Sequence, residues 1–135
     1  MRNLIILSIV FLSQLLSAQD NRLSIEVKGI SELKGKIYVG VFTEDNFLRG
    51  KPIYGEIVEV EAETEIVNLV DIPTGNYAVS VYQDLNNNEV FDMDEYGRPT
   101  EPWAMSGTNP KNQQPVWDLA MFKLGKKSKT ITVNF

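Results

Sequence analysis

The residues best placed to do chemistry lie in one run, Asp84-Leu85-Asn86-Asn87-Asn88-Glu89-Val90-Phe91-Asp92-Met93-Asp94-Glu95. With Asp84 as the first position, oxygen-bearing side chains fall at the first, third, fifth, ninth and twelfth places: Asp84, Asn86, Asn88, Asp92 and Glu95. Val90 offers a backbone carbonyl at the seventh. This is the ligand spacing of a twelve-residue calcium loop, in which acids and amides on a tightly curved backbone converge on one hard cation. Ca²⁺ is the expected ion, because Mg²⁺ demands a stricter octahedron and keeps more of its water. Glu89 occupies the sixth place, where such loops use glycine, and the residues before Asp84 read as a strand, so a helix-loop-helix hand is not expected. The alternative for the same run is a series of Asx turns, with Asp and Asn side chains accepting from nearby backbone amides.

Downstream, Glu101 has three possible roles: cation ligand, cap for the loop, or acid catalyst. Paired with Asp92 it would supply the two carboxyls that glycoside hydrolysis requires, and a small carbohydrate-active hydrolase is the alternative function. No catalytic residue is assigned in the preferred reading. Tyr96, Trp103 and Trp117, with Glu101, are the candidate ligand-binding residues, since large amphipathic rings give contact area for a sugar or peptide at low entropic cost. The plainer role for those rings is to cover the open end of the fold. Histidine and cysteine are both absent, which removes Ser-His-Asp and Cys-His nucleophiles, disulfides, iron-sulfur clusters and the usual zinc sites. A net charge of −5, with no basic run interleaved with aromatics, argues against nucleic acid as a partner.

These residues must be positioned by strands. Leu23, Ile25 and Val27 alternate with polar neighbours, as do Ile37, Val39 and Val41, with Tyr38 and Phe42 making the second strand apolar on both faces. Val58, Val60 and Ala62 alternate with glutamates, and Ile66 to Val70 forms a further apolar segment. Tyr77, Val79 and Val81 follow the turn Pro73-Thr74-Gly75-Asn76. Ala120, Phe122 and Leu124 precede Ile131, Val133 and Phe135, with Gly125-Lys126-Lys127-Ser128 read as a hairpin connection. No mature segment has helical spacing, so the expected fold is an all-β, seven-stranded antiparallel β-sandwich. The stretch from Asp84 to Trp117 shows no strand periodicity, yet its prolines and aromatics mark one long ordered loop rather than disorder.

The N-terminus has the layout of a secretory signal peptide: Arg2, then an apolar run from Leu4 to Leu16, ending in Ser17-Ala18. The expected organisation is a signal peptide over residues 1–18 and a single domain over 19–135, exported to the periplasm or extracellular space, with no membrane span after cleavage.

The segments Asp71-Ile72-Pro73-Thr74-Gly75-Asn76-Tyr77-Ala78-Val79, Asp84-Leu85-Asn86-Asn87-Asn88 and Gly97-Arg98-Pro99-Thr100-Glu101-Pro102-Trp103-Ala104-Met105-Ser106 resemble a bacterial secreted family, domain of unknown function 2141. Pro115-Val116-Trp117-Asp118-Leu119-Ala120-Met121-Phe122 resembles its closing motif. The resemblance implies a prealbumin-like β-sandwich and carries no activity. The resulting expectation is an exported, non-enzymatic module with a Ca²⁺-ordered loop, whose ligand is a carbohydrate or a cell-envelope protein.

Overall fold

Period-two alternation decides most of the architecture. The computed structural model describes residues 21–135, and the expected signal peptide lies outside the described residues. On β1 (Leu23–Lys28), Leu23, Ile25 and Val27 are fully buried while Ser24 and Glu26 stay partly exposed. Then follow β2 (Lys36–Phe42), β3 (Tyr54–Glu59), β4 (Glu65–Leu69), β5 (Gly75–Asp84), β6 (Trp103–Met105), β7 (Phe122–Leu124) and β8 (Lys129–Asn134). Helical backbone among the described residues is confined to a 3₁₀ turn at Glu44–Asn46 and one turn at Trp117–Ala120.

The strands form two sheets, β4-β1-β8 and β3-β2-β5-β6, with β7 pairing the first residues of β5. Leu23, Ile25, Val27, Val67 and Val133 of the first sheet meet Ile37, Val39, Val41, Val79 and Val81 of the second in one apolar core. The fold is the expected all-β sandwich. It departs from expectation in several places, one of them at Ala120, which ends the helical turn so that β7 begins only at Phe122. There are eight strands among the described residues rather than seven, because β6 forms inside the long segment by pairing with Ser80, Val81 and Tyr82. It is not wholly antiparallel: β8 runs parallel to β1, with Ile25 opposite Ile131. Residues 125–128 are not a hairpin, since β7 belongs with β5 and β8 with β1, so they carry the chain from one sheet to the other. Finally, β3 begins at Tyr54 and ends at Glu59, because the backbone amides of Glu61 and Ala62 donate to the Glu65 carboxylate and turn the chain into β4.

The second sheet is also covered in part on its outer face. Phe42 and Ala78, which point away from the main core, pack with Phe47 and Ala120 in a smaller cluster, flanked by Met105 and Trp117. That explains why β2 and β5 are apolar on both faces. It also leaves the far end of the same face to the Asp84 loop.

Candidate functional site

The last residue of β5 starts the loop. Asp84 is fully buried, and its carboxylate accepts the backbone N–H of Asn88 on Oδ1 at 3.2 Å and that of Glu89 on Oδ2 at 2.9 Å. Asn86 Oδ1 accepts the Asn88 N–H at 3.1 Å, and Asn88 Oδ1 accepts the Val90 N–H at 3.0 Å. Each side chain thus bends the backbone that follows it, and the chain wraps around its own Asp and Asn groups. The curvature requires left-handed backbone at Asn87 (φ 57°) and Glu89 (φ 65°). Glu89 therefore adopts the conformation that glycine would supply at the sixth place, at some cost in strain.

The side chains converge on Asp92. The Asn86 amide donates to Asp92 Oδ2 at 2.7 Å, and the Asn88 amide donates to both Asp92 oxygens at 3.0 Å. Four of the expected ligands, Asp84, Asn86, Asn88 and Asp92, are thereby linked in one network. Val90 is exposed on the same loop. Glu95 is not brought to the network; it is exposed and, among the described residues, its side chain makes no hydrogen bond or ion pair. The reason is local, because Asp94 nucleates a separate turn. Its Oδ1 accepts the N–H groups of Tyr96 and Arg98, and its Oδ2 pairs with the Arg98 guanidinium at 2.7 Å. The Arg98 backbone and side-chain donors, with the Tyr96 amide, hold the Asp94 carboxyl below its ordinary range. Among the described residues no group of three or more His, Cys, Asp or Glu side chains is placed to hold a metal ion. The donors gathered here are two carboxylates and two amides.

Glu101 acts as the cap. It is buried, and its two oxygens accept the N–H groups of Leu85 at 2.9 Å and Asp92 at 3.1 Å, so one carboxylate fastens the two ends of the loop. The hydrolase alternative would need one of those oxygens to carry a transferable proton to substrate.

The aromatic candidates have separate surroundings. Tyr96 is 74% exposed, with the Arg98 guanidinium 5.1 Å from its ring centroid. Trp103 stands on β6 opposite Tyr82. Trp117 packs edge-on against Phe47 at 5.5 Å in the smaller cluster, near the Ala78 end of β5. Ala78 and Tyr82 are four residues apart on one strand, about 13 Å, so Trp103 and Trp117 do not form a common platform.

Sequence reasoning missed three features. Asp94, which falls at none of the ligand places, organises a turn of its own. Ser106, almost fully buried, donates to the Ala120 carbonyl at 2.7 Å and accepts the Val79 N–H at 2.8 Å, joining the later loop to β5. Tyr38, Tyr82 and Phe91 form an aromatic row. Tyr38 and Tyr82 stack at 4.9 Å with their planes 10° apart, and Phe91 leans on Tyr82 at 4.9 Å. Burial first, then Tyr38 and the carboxylates of Asp84, Glu101 and Asp92, pushes the Tyr82 hydroxyl up to about 12. The signal available in the sequence was the alternation Tyr38, Gly40, Phe42, opposite in phase to the valines.

The two packed sheets, with a loop folded on Asp and Asn side chains, make this a small all-β sandwich protein. Within that class the chain belongs to the bacterial family described as uncharacterized protein conserved in bacteria (DUF2141), whose model matches residues 25–132. Searches of curated proteins and of solved structures each give no significant match.

Proposed function

We propose that this protein is an exported, non-enzymatic binding module whose Asp84–Asp92 loop is ordered by Ca²⁺ and which presents the adjoining surface to a carbohydrate or a cell-envelope protein. One observation carries the cation reading: the Asn86 and Asn88 amide groups point their partial positive charge at Asp92, where a cation would sit in a loop with this spacing. Asp84, Asn86, Asn88 and Asp92 would hold the ion through side-chain oxygens once it displaces the Asn86 and Asn88 amide N–H groups from Asp92, with the Val90 carbonyl as a further ligand. The ion would supply charge neutralisation and order. The use of both Glu101 oxygens as backbone acceptors supports a structural role for that carboxylate. The apolar N-terminal run supports export.

Thermal unfolding in EDTA, in CaCl₂ and in MgCl₂ tests the cation. A ligand at a hundred times its dissociation constant adds about 2.7 kcal/mol, which for a domain of this size raises Tm on the order of 10 °C. The expected result is a rise in CaCl₂ that MgCl₂ does not reproduce and that Asp84→Ala abolishes. An unchanged Tm in CaCl₂ returns the loop to a set of Asx turns.

A further inference from the structure

A trench of about 530 Å³ crosses the outer face of the second sheet. Cross-strand register explains it in three rows. Gly55, Gly40 and Ser80 lie side by side on β3, β2 and β5 and form a floor almost without side chains. One wall is the next row along the strands, Ile57, Tyr38 and Tyr82, which Phe91 extends. The other wall is Phe42 with Pro52. The Cα atoms of Tyr38 and Phe42 are four residues apart on one strand, about 13 Å, and the Phe42 ring and Pro52 lean over Gly40, so the opening between the walls is narrower than that spacing. Glycine within a strand costs stability and commonly marks close approach of another group. At Gly40 a Cβ would meet the Phe42 ring and Pro52 at 3.0 Å, so the bare floor is also what lets that wall close in.

The chemistry of the lining selects a ligand. Tyr38, Tyr82 and Ser80 are only partly buried, and among the described residues their hydroxyls make no hydrogen bond to protein. Each such hydroxyl can both donate and accept. No lysine or arginine lines the trench. Glu56 does, but it pairs with Val39, and alternation sends its side chain to the opposite face from Gly55 and Ile57, so it lends backbone rather than charge. Carboxylates stand close to the Tyr38 end: burial foremost, and then Glu89, Asp84 and Glu59, raise its pKa against the opposing effect of Lys36. Anions are disfavoured there, and the one carboxylate among the lining residues, Glu56, is turned away from the trench and so is not placed to pair with a cation inside it. Apolar walls combined with free hydroxyls match the alternating C–H and O–H surface of an uncharged sugar.

We infer that this trench binds a neutral saccharide, with Tyr38, Tyr82 and Ser80 as hydrogen-bonding residues and Phe42, Pro52 and Ile57 as apolar contacts. The inference rests on reading the protein as a binding module, and it does not depend on the cation. Amide NMR spectra of the ¹⁵N-labelled protein, recorded in EDTA and in CaCl₂, test it with hexasaccharide probes. The neutral probes are β-1,4-linked glucose, α-1,4-linked glucose, mannose and N-acetylglucosamine; galacturonate and glucosamine hexamers are the anionic and cationic controls. The expected result is saturable shifts at Gly40, Gly55 and Ser80 with at least one neutral hexamer, and weakening by at least about tenfold in Ser80→Leu and in Tyr38→Ala. Silence with every neutral probe overturns the inference. So do shifts centred on Tyr96, Trp103 or Trp117, and equal or tighter binding of either charged control. A CaCl₂-dependent melt with a silent trench removes the saccharide and keeps the cation; sugar binding with no calcium response does the reverse.

Discussion

The connection from β5 to β6 and the connection from β6 to β7 are both long, and different forces order them. In the first, carboxylates and amides do the holding: Asp84 and Glu101 accept four backbone N–H groups between them, and Asn86 and Asn88 close on Asp92. In the second, apolar contact dominates, with Trp117 against Phe47 and Ala120 fully buried beside Ala78, supplemented by the buried Ser106 hydroxyl. Irregular backbone can be fixed either way, but only the first way responds to charge. The carboxylates bonded to backbone amides therefore lie between residues 84 and 101, whereas the described contacts that hold residues 107–121 are rings, Ala120 and the Ser106 hydroxyl.

The largest expected effect breaks the apolar side. Trp117→Ala should cost about 2 to 3 kcal/mol, below the full range for a buried aromatic because the ring is partly exposed, as read by urea unfolding. Its response to CaCl₂ should equal that of the unaltered protein, since the Asp84 loop is untouched. Glu101→Gln comes next. It replaces a charged double acceptor by an amide with one acceptor oxygen and leaves a backbone N–H facing an NH₂ group, a loss of about 2 kcal/mol. Hydrogen exchange should quicken at Leu85 and Asp92 while β1 and β2 keep their protection.

Alkaline pH sharpens the contrast. The folded-state pKa of Tyr82 is raised to about 12 from an ordinary value of 10.0. Its contribution is therefore intact below pH 10 and is lost as pH climbs through 12. Phenolate absorbance should show a last titration step that Tyr82→Phe removes. The smallest effect belongs to Asp94→Asn, at an exposed turn. Its pKa is lowered, so the turn's stabilisation is present above the ordinary carboxylate value and fades as pH falls through the depressed one. The variant should leave Tm unmoved and broaden only the amide signals of Tyr96 to Arg98.

The strands that were legible are those whose pattern is local. Leu23, Ile25 and Val27, or Tyr77, Val79 and Val81, announce a buried face without reference to any partner. β6 was not legible, because three residues after Pro102 become a strand only when Tyr82 and Ser80 lie beside them. The sheet exchange after β7 was hidden for the same reason: Gly125 to Ser128 look like a tight turn, and only the pairing of β8 with β1 shows that they cross between layers. At the site, the Asp84 to Asp92 network could be read from spacing, since Asx bonds reach only a few residues. Glu95 fitted the spacing and lies outside the network because Asp94 starts its own turn two residues after Asp92. Tyr38 and Phe91 share a row with Tyr82 across the sheet and the loop, a relation that the linear order does not contain.

The parallel pairing of β1 with β8 has a mechanical consequence. Leu23 lies beside Lys129 and Lys28 beside Asn134, so the two strands enter the sheet at one end and leave it together at the other. If Asn21 were held and Phe135 pulled, the load would run along the strands and stretch all the hydrogen bonds between them at once, in shear. An antiparallel pair gripped at one end would instead open bond by bond, like a zip. The expected signature is a single high-force rupture of the β1–β8 pair before any other part of the sandwich gives way.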